Sequence, residues 1–573
     1  MKPILLPACA IASLVPLCAR AQTCGSQWLS GAIPSTNGTV YALALWDPDG
    51  PGPAQPALVA GGSFTLAGSV TVANLALWDG VQWTNLGGGV SGTQHGTTVI
   101  NALAVMPNGD LVVGGAFDTV GQGPGQIAAP CIARYDRTSW RGFAQGLPQN
   151  SSSVTSLTVR PGGELIALGG TFLNGDNTFA GPLARWNDAE PPLWINFGQP
   201  VALPMMETPR TVYALANGDV VLGGVQGSAP GASAAWRWKA ATGVWENFGS
   251  GVGGTSPLNQ VFAVLEIANG DIVLAGNFTS ANNVAVNSIA RWNGNQFFPY
   301  GTGIRWPSQP FQLAVRSLAQ MPNGDIIAGG NFDPNDPGGQ RITRWNGASW
   351  TRLPNGAQAT VFALLRAPGD ELIIGGAYTS AGGSFANKYI ARFTDLPAPW
   401  VARHPLAQTA APGDTVTLTA TPANGFVNVA VQWKRNGSPI SDGPGGASPG
   451  GGTVSGAAAN LASPTNAGLA TLTITDVQPA DAGAYTAVFS NSCGSAASSP
   501  AQVTIPSPCA GDLNGDQFVD DADFVLFASA YDLLDCAEPS MPAGCPADLN
   551  ADTFVDDADF VLFVIAYNEL ICP

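Results

Sequence analysis

Carboxylate and amide residues recur with one spacing in two neighbouring segments near the C-terminal end of the chain. Asp512-Leu-Asn-Gly-Asp-Gln-Phe-Val-Asp-Asp-Ala-Asp523 is followed by Asp548-Leu-Asn-Ala-Asp-Thr-Phe-Val-Asp-Asp-Ala-Asp559. Calcium prefers oxygen ligands, and a loop of this length supplies them from positions 1, 3, 5, 7, 9 and 12. The spacing therefore predicts two calcium sites, in which position 7 contributes its peptide carbonyl. The candidate ligands are Asp512, Asn514, Asp516, Phe518, Asp520, Asp523, Asp548, Asn550, Asp552, Phe554, Asp556 and Asp559.

The duplication resembles the type I dockerin, a calcium-binding module related to EF-hands that docks to cohesin domains. An apolar helix is expected after each loop, over residues 524–534 and 560–570. The resemblance implies a cohesin-like partner, because loop positions 10 and 11 contribute to partner choice in dockerins. The family's glycine at position 6 is replaced by Gln517 and Thr553, so we expect a strained turn and weaker calcium binding. The implied docking residues are Asp521, Ala522, Asp557 and Ala558.

Residues 509–573 contain fourteen acidic residues, four cysteines and no lysine or arginine. Bound cations would relieve the repulsion within so dense an acidic cluster. If the two helices pack antiparallel, as in dockerins, each loop lies beside the end of the other helix. That arrangement favours the disulfides Cys509–Cys572 and Cys536–Cys545 over pairing within each repeat, whose ends a long helix would hold apart.

Internal repetition dominates residues 25 to 396. A Gly-Gly or Ala-Gly step recurs seven times at intervals of about fifty residues. Asn-Gly-Asp between two β-type runs, as at 269–271, predicts a tight hairpin because asparagine and glycine tolerate positive φ. Each unit contains four such runs, which predicts four-stranded antiparallel sheets. The first residues of the seven steps are Gly61, Gly114, Gly169, Gly223, Ala275, Gly329 and Gly375.

The Gly-Gly step and the late tryptophan of each unit resemble kelch-like and galactose-oxidase-like β-propellers. The resemblance implies a seven-bladed propeller over residues 22–396, although it implies little about activity. The seventh unit stops after Ile390-Ala-Arg-Phe393 and lacks the final aromatic strand. A matching segment, Ser26-Gln-Trp-Leu29, stands alone before the first unit. We therefore expect Trp28 to complete the last blade and close the ring.

No catalytic residue is identified. The tryptophans recur once per unit, which favours packing between sheets over stacking on sugars. Gly446-Ala-Ser448-Pro-Gly450 formally matches a nucleophile elbow, but it lies in a Gly/Pro/Ser-rich stretch without a nearby histidine. Four recurrent aspartates occupy hairpin turns, where a structural role is expected rather than an acidic ring. These aspartates are Asp110, Asp219, Asp271 and Asp325.

A different pattern begins near residue 397. A strand with a central tryptophan, Trp433, precedes a later Asp-Ala-Gly-Ala-Tyr485 segment. Both resemble the bacterial immunoglobulin-like family, which implies a β-sandwich over residues 397–505 with a tyrosine corner. Ala487 stands where that family has its second core cysteine, so we expect Cys493 to be unpaired or paired elsewhere.

Composition and the N-terminal segment exclude several classes of protein. With a net charge of −17 and four lysines, the chain lacks the basic face that nucleic-acid binding requires. His95 and His404 are too few for a multi-histidine metal site. Lys2, the apolar stretch 4–17 and Ala-Arg-Ala21 predict a secretory signal over residues 1–21. No later segment is long and apolar enough to predict a membrane span.

These patterns predict a mainly β, exported protein that is secreted or at the cell surface. It would combine a seven-bladed propeller (22–396), an immunoglobulin-like sandwich (397–505) and a small helical calcium module (509–573). The favoured function is binding or adhesion, in which the propeller recognises an unidentified glycan or protein and the tail docks to a cohesin-like partner. The alternative is a carbohydrate-active enzyme, a glycoside hydrolase or lyase with its site in the propeller. A structural component of a surface layer is a third possibility.

Overall fold

A computed structural model describes residues 24–47, 50, 56–92, 96–143, 153–173, 179–187, 193–197, 206–254, 259–305, 313–332, 340–426, 428–461, 468–505, 511–514, 518–542, 545–550 and 552–569. The predicted signal, His95, Cys509, Asp516, Gln517 and Cys572 lie outside these residues. The described protein is mainly β, with two helices near its C-terminal end. Neither of those helices has the length and apolar character that a membrane span requires.

Within the described ranges, the repeats form seven antiparallel units of four strands, and units 4 and 5 are joined through one residue pair, Val225–Gln260. The strands are Thr39–Trp46, Ala57–Ser63, Leu75–Trp78 and Trp83–Asn85 in unit 1; Val99–Val105, Leu111–Ala116, Ile132–Tyr135 and Trp140–Gly142 in unit 2; Ser156–Val159, Leu165–Leu173, Phe179–Asn187 and Leu193–Asn196 in unit 3; Met206–Ala214, Val220–Gln226, Ala235–Lys239 and Val244–Asn247 in unit 4; Gln260–Glu266, Ile272–Asn277, Ile289–Trp292 and Phe297–Pro299 in unit 5; Ala314–Gln320, Ile326–Asn331, Ile342–Trp345 and Trp350–Arg352 in unit 6; and Val361–Ala367, Glu371–Gly376, Ile390–Thr394 and Gln27–Leu29 in unit 7.

Two-residue strands lie in loops within and between these units, and 3-10 turns occur in units 2 and 7 and in the region after residue 401. The short strands are Leu66–Ala67, Val70–Thr71, Val90–Ser91, Thr119–Val120, Ile127–Ala128, Val252–Gly253, Ser280–Ala281 and Val284–Ala285. The 3-10 turns are Gly123–Gly125, Pro368–Asp370 and Pro479–Asp481.

The N-terminal segment supplies the fourth strand of unit 7, as the sequence predicts. Trp28 pairs with Phe393 in antiparallel register, and their rings meet edge-on at 5.2 Å. The Trp28 indole donates a 2.6 Å hydrogen bond to the carbonyl of Pro354 in the preceding unit. Trp83, Trp140 and Trp350 make equivalent bonds to backbone carbonyls outside their own units. The repeated tryptophans therefore pack adjoining units together.

The first strands of successive units contact one another in chain order, and the first strand of unit 7 contacts that of unit 1. The first residue of the Gly-Gly step makes this approach possible. A Cβ on Gly61 would lie 2.6 Å from Ile100 of unit 2, and one on Gly375 would lie 2.7 Å from Val40 of unit 1. At these two steps a Cβ would overlap the first strand of the next unit.

The recurrent aspartates hold the hairpin turns. In each Asn-Gly-Asp turn the asparagine side chain accepts a hydrogen bond from the aspartate N–H, as Asn217 does from Asp219 at 2.9 Å. The carboxylate then pairs with the arginine of the third strand, as in Asp219–Arg237 at 2.6 Å. These contacts support the structural role that the turn pattern predicts. The same ion pair occurs at Asp110–Arg134, Asp271–Arg291 and Asp325–Arg344.

Residues from 401 onward form a sandwich of two sheets around Trp433, which is fully buried. The Tyr485 hydroxyl donates a 2.7 Å bond to the Asp481 carbonyl, which is the expected tyrosine corner. One sheet contains Val401–Arg403, Val416–Pro422, Ala470–Thr475, Thr453–Ser455 and Gly443–Pro444. The other contains Gln408–Thr409, Ala501–Thr504, Gly483–Asn491, Val429–Arg435, Ser438–Pro439, Ala458–Leu461 and Gly494–Ala497.

A polar cluster and a disulfide join this sandwich to the repeats. Arg392 of unit 7 is buried, pairs with Glu371 through two bonds of 2.8 and 2.7 Å, and donates a further 2.7 Å bond to the Asn424 carbonyl of the sandwich. Cys493 of the sandwich forms a disulfide with Cys24, which precedes the strand that completes unit 7. Cys493 is thus paired elsewhere, which was one of the two expectations for it.

The two C-terminal helices are α1, Asp521–Tyr531, and α2, Asp557–Glu569. Each begins three residues earlier than the sequence predicts, because a loop aspartate caps it. Asp520 and Asp556 each accept a 2.8 Å bond from the N–H two residues later. The disulfide Cys536–Cys545 is present, as favoured, whereas both cysteines of the favoured Cys509–Cys572 pair lie outside the described residues.

Candidate functional site

Three candidate calcium ligands converge in the second acidic loop. Carboxylate oxygens of Asp548, Asp552 and Asp559 all lie within 4.8 Å of one another. Hard oxygen donors at this spacing fit calcium, so the residues present suit the ion that the sequence predicts. Asp556 does not belong to this group, because its carboxylate caps α2. The remaining candidates in this loop, Asn550 and Phe554, both form hydrogen bonds with Asp552. The N–H of Asp552 donates to the Asn550 side chain, and the Asp552 carboxylate accepts from the N–H of Phe554.

The last aspartate of each loop is fully buried and holds the loop closed. Asp559 accepts bonds of 2.8 and 3.0 Å from the N–H groups of residues 549 and 550, and one of 3.0 Å from Asp556. Asp523 makes the same three contacts in the first loop, at 2.7, 2.9 and 3.0 Å. The three contacts of the last aspartate therefore recur in both loops. In the first loop Asp512, Asn514 and Phe518 are described, whereas Asp516 lies outside the described residues.

Thr553 occupies the loop position at which the sequence analysis expects strain. Its φ is +75°, a left-handed conformation that disfavours β-branched residues. The N–H of Thr553 nevertheless donates a 2.8 Å bond to Asp548. Threonine can therefore form the turn, at the cost of a strained backbone.

The candidate docking residues lie in the first turns of the two helices and are exposed: Asp521, Ala522, Asp557 and Ala558. Each of the two aspartates accepts a hydrogen bond from a tyrosine near the end of the opposite helix: Tyr567 to Asp521, and Tyr531 to Asp557. These reciprocal contacts place the helices antiparallel. They also raise the pKa of both tyrosine hydroxyls, chiefly because the phenol donates to a carboxylate.

Apolar side chains remain exposed around both helices. Phe527 and Phe563 stack at 4.8 Å and fill the contact between the helices. The contact between the two helices leaves many other apolar side chains exposed to solvent. These side chains are Phe518, Phe524, Val525, Leu526, Leu534, Phe554, Phe560, Val561, Leu562, Val564 and Ile565.

A second candidate site, which the sequence analysis does not identify, lies where the first strands of the seven units meet. A cavity of about 600 Å³ is lined there by at least one residue from every unit. Six of these residues sit at a β-bulge in a first strand, and Thr155 directly precedes the first strand of unit 3. The bulge residues, which we call the bulge set, are Tyr41, Asn101, Arg210, Phe262, Arg316 and Phe362.

The second glycine of the step explains the bulge in the six units that contain one. A Cβ on Gly62 would lie 2.1 Å from the carbonyl oxygen of Thr39, and one on Gly330 would lie 2.1 Å from that of Ala314. Only glycine leaves room for this carbonyl oxygen. The bulge that forms here shifts the strand register by one residue, and the side chain of the extra residue points away from the paired strands. In these six units the glycine thus directs one variable side chain into the cavity.

A signal for these residues is present in the sequence. In units 1, 5, 6 and 7 the bulged position is the residue x of a Val-x-Ala/Ser segment, for example Phe262 after Val261 and Arg316 after Val315, whereas Arg210 follows Pro209 and does not fit this pattern. A position that varies inside a constant frame is typical of a binding surface on a repeated scaffold. By contrast, the formal nucleophile Ser448 is buried and donates a 2.8 Å bond to Asp481, which is a structural contact.

Comparisons with known proteins concern the sandwich. Residues 399–505 match the model of the immunoglobulin I-set domain. A crystal structure of one titin domain is 16% identical and covers 19% of this chain and 97% of its own, with a TM-score of 0.14. A module of the Drosophila receptor protein tyrosine phosphatase DLAR is 23% identical and covers 20% of this chain and 50% of its own, with a TM-score of 0.15. No curated protein matches. The family model identifies residues 399–505 as an immunoglobulin-like domain of the I-set type.

Proposed function

We propose that the protein is an extracellular binding protein whose repeated region is a seven-bladed β-propeller with a ligand site in its central cavity. Residues 22–396 would form the propeller, residues 397–505 contain the immunoglobulin-like domain, and residues 509–573 would form a dockerin-like calcium module. The ring-wise contacts of the first strands and the N-terminal strand in unit 7 support the propeller. The two disulfides support an oxidising, extracellular location.

One observation carries the recognition role: all seven units contribute side chains to a single cavity, and these side chains are of several chemical types. Its described lining combines aromatic rings, amides, a hydroxyl and arginines, which suits a small polar ligand. Glycoside hydrolysis generally needs two carboxylates across the scissile bond. Among the described lining residues there is no carboxylate, so binding is favoured over the alternative of a glycoside hydrolase.

The C-terminal module would attach the molecule to a cohesin-like partner. Asp548, Asp552 and Asp559 would hold one calcium ion, with Asn550 and the Phe554 carbonyl completing the set. The first loop would hold a second ion through the equivalent residues from Asp512 to Asp523. The exposed apolar residues of both helices support a protein partner, because they leave a large apolar surface on a small module.

A panel experiment tests the cavity. The purified full-length mature protein would be screened on a glycan array, a polysaccharide panel and a set of extracellular proteins. Tyr41→Ala and Phe362→Ala remove two cavity rings that contact each other at 4.8 Å, and should abolish binding of any hit. The control, Val244→Ala, truncates an exposed side chain on a fourth strand and should bind normally. If every ligand found in the screen binds the Tyr41→Ala and Phe362→Ala variants as tightly as it binds the parent protein, the proposed site is wrong.

A pull-down tests the docking role. The full-length protein should bind a panel of cohesin domains in calcium and release them on chelation. Replacing the outward-facing Val525 and Val561 with lysine should abolish docking, while the unfolding midpoint stays within a few degrees of the parent. Calcium-independent capture, or no capture by the calcium-loaded protein, would contradict a docking role.

A further inference from the structure

Arg210 and Arg316 of the bulge set line the cavity, and neither forms an ion pair with a carboxylate among the side chains that the structure describes. Arg316 lies in unit 6, and its guanidinium is 4.5 Å from the centre of the Phe262 ring and 5.7 Å from that of Phe362. Its Nε is buried and has no hydrogen-bond partner in the described part of the chain. A buried, charged donor of this kind is costly unless something binds it.

The arginines of the third strands behave differently. Six of them pair with a carboxylate of the same unit, including Arg185 with Glu164 at 2.9 Å and Arg392 with Glu371 at 2.7 Å. The repeated units thus neutralise the arginines of their third strands. Arg316 and Arg210 stand outside this pattern in a protein with a net charge of −17. Arg316 and Arg210 therefore give the cavity a positive charge that no nearby described carboxylate offsets.

Arg210 also raises the electrostatic cost of Arg316. Burial lowers the pKa of the Arg316 guanidinium, and the nearby charge of Arg210 lowers it further. Arginine nevertheless remains charged at neutral pH, so two like charges face the same space. An anion between them would offset both the burial and the repulsion.

The other residues that line the cavity indicate which chemical class of ligand it would bind. Tyr41 and Phe362 present aromatic rings, while Asn101 and Thr155 present an amide and a hydroxyl. Asn101 donates a 3.0 Å bond to the Val154 carbonyl, which fixes its orientation and leaves its side-chain oxygen as an acceptor. Aromatic faces next to hydroxyl and amide groups suit a sugar ring, and a planar guanidinium matches a planar carboxylate. The cavity volume of about 600 Å³ is that of a small-ligand site.

We propose that the cavity binds a carboxylate-bearing sugar, a hexuronate unit of an acidic polysaccharide, with its carboxylate on Arg316 and Arg210. This inference rests on the proposed function of the cavity and names the ligand class. The aromatic rings would flank the sugar and exclude water from the ion pair, which strengthens it.

Calorimetric titration of the full-length mature protein with tri-galacturonic acid tests the proposal. The methyl-esterified trimer has the same shape without charge, and we expect it to bind at least about ten-fold more weakly. Arg316→Gln and Arg210→Gln should each weaken binding of the acid by about ten-fold or more. Arg316→Lys should restore only part of the affinity, because lysine keeps the charge but loses the planar donor pair. Arg141→Gln, an exposed arginine on a fourth strand, is the control.

Each contrary outcome has a distinct meaning. Equal binding of the ester, or normal binding by folded Arg316→Gln, would overturn the carboxylate proposal. If inorganic phosphate or a polyglutamate peptide competes more strongly than the trimer, the uronate assignment is wrong. If a neutral ligand binds and only Tyr41→Ala weakens it, the carboxylate proposal fails while the recognition role stands. If no probe or panel ligand binds the folded protein, both fail.

Discussion

Gly375 and Val40 touch across the two ends of the repeated region: a Cβ on the glycine would lie 2.7 Å from the valine Cγ1. Gly375 belongs to the second strand of unit 7, and Val40 to the first strand of unit 1. This is the same contact that Gly61 makes with Ile100 between units 1 and 2. The last unit therefore meets the first by the geometry that joins consecutive units.

Replacing Gly375 with alanine should destabilise the protein by about 1–3 kcal/mol, because the new methyl group overpacks the contact with Val40. Chemical unfolding monitored by tryptophan fluorescence measures the effect. Gly125→Ala is the control, since a Cβ there would meet nothing within 4 Å. Equal unfolding midpoints for the two variants would contradict a tight junction between units 7 and 1.

The buried pair Arg392–Glu371 should be essential because each partner compensates the buried charge of the other. Both side chains are almost inaccessible, at 2% and 1% exposure. Glu371→Gln should therefore cost about 3–5 kcal/mol, since it leaves the arginine charge uncompensated. Asp370→Asn breaks the exposed pair with Arg366 and should cost less than about 1 kcal/mol. A similar small loss for both variants would show that the buried cluster does not stabilise the fold.

The disulfide Cys24–Cys493 ties the strand that completes unit 7 to the immunoglobulin-like domain. The variant with both Cys24→Ser and Cys493→Ser should lose about 2–5 kcal/mol of stability, since the bridge closes a very long loop. Calorimetry under oxidising conditions measures the loss, and peptide mapping of the parent protein checks the pairing. A native protein in which Cys24 is bonded to any other cysteine would contradict the structure.

Thr553 should limit calcium binding in the second loop. Calcium has to order the loop in its left-handed conformation, so Thr553→Gly should remove about 1–2 kcal/mol of strain and tighten binding about five- to thirty-fold. Titration of the full-length protein with calcium measures both loops as separate events. Asp559→Asn is the matched loss variant and should eliminate one event. Unchanged binding in both variants would rule out this loop as the calcium site.

Local sequence signals predict the parts of the fold that depend on neighbouring residues. The Asn-Gly-Asp turns and the strand at Trp28 follow from turn chemistry and repeat spacing, and the tyrosine corner at Tyr485 follows from the resemblance to immunoglobulin-like domains. Each helix begins three residues before the predicted position. Asp520 and Asp556 fit the pattern of calcium ligands, and that pattern does not indicate that they also cap the helices.

Contacts between segments that no repeat relates could not be predicted in the same way. Cys24 and Cys493 are 469 residues apart, and no spacing rule relates them. The cavity is hard to predict from the sequence because its lining residues vary between units and Arg210 lies outside the Val-x-Ala/Ser pattern, so the register shift is what shows that the six bulged residues share a position. The contacts of Arg392 are likewise not predictable from local sequence, because one of them is a hydrogen bond to the backbone carbonyl of Asn424 in another domain.

Hydrogen-exchange mass spectrometry of the full-length protein, with and without saturating tri-galacturonic acid, tests the central claim most directly. A ligand in the cavity contacts the bulged residues of several units at once and should slow exchange in their first strands. The account predicts protection in peptides that cover Tyr41, Arg210, Phe262, Arg316 and Phe362. It predicts no change in the immunoglobulin-like domain or the calcium loops. Protection confined to those regions, with unchanged first strands, would contradict recognition at the central cavity.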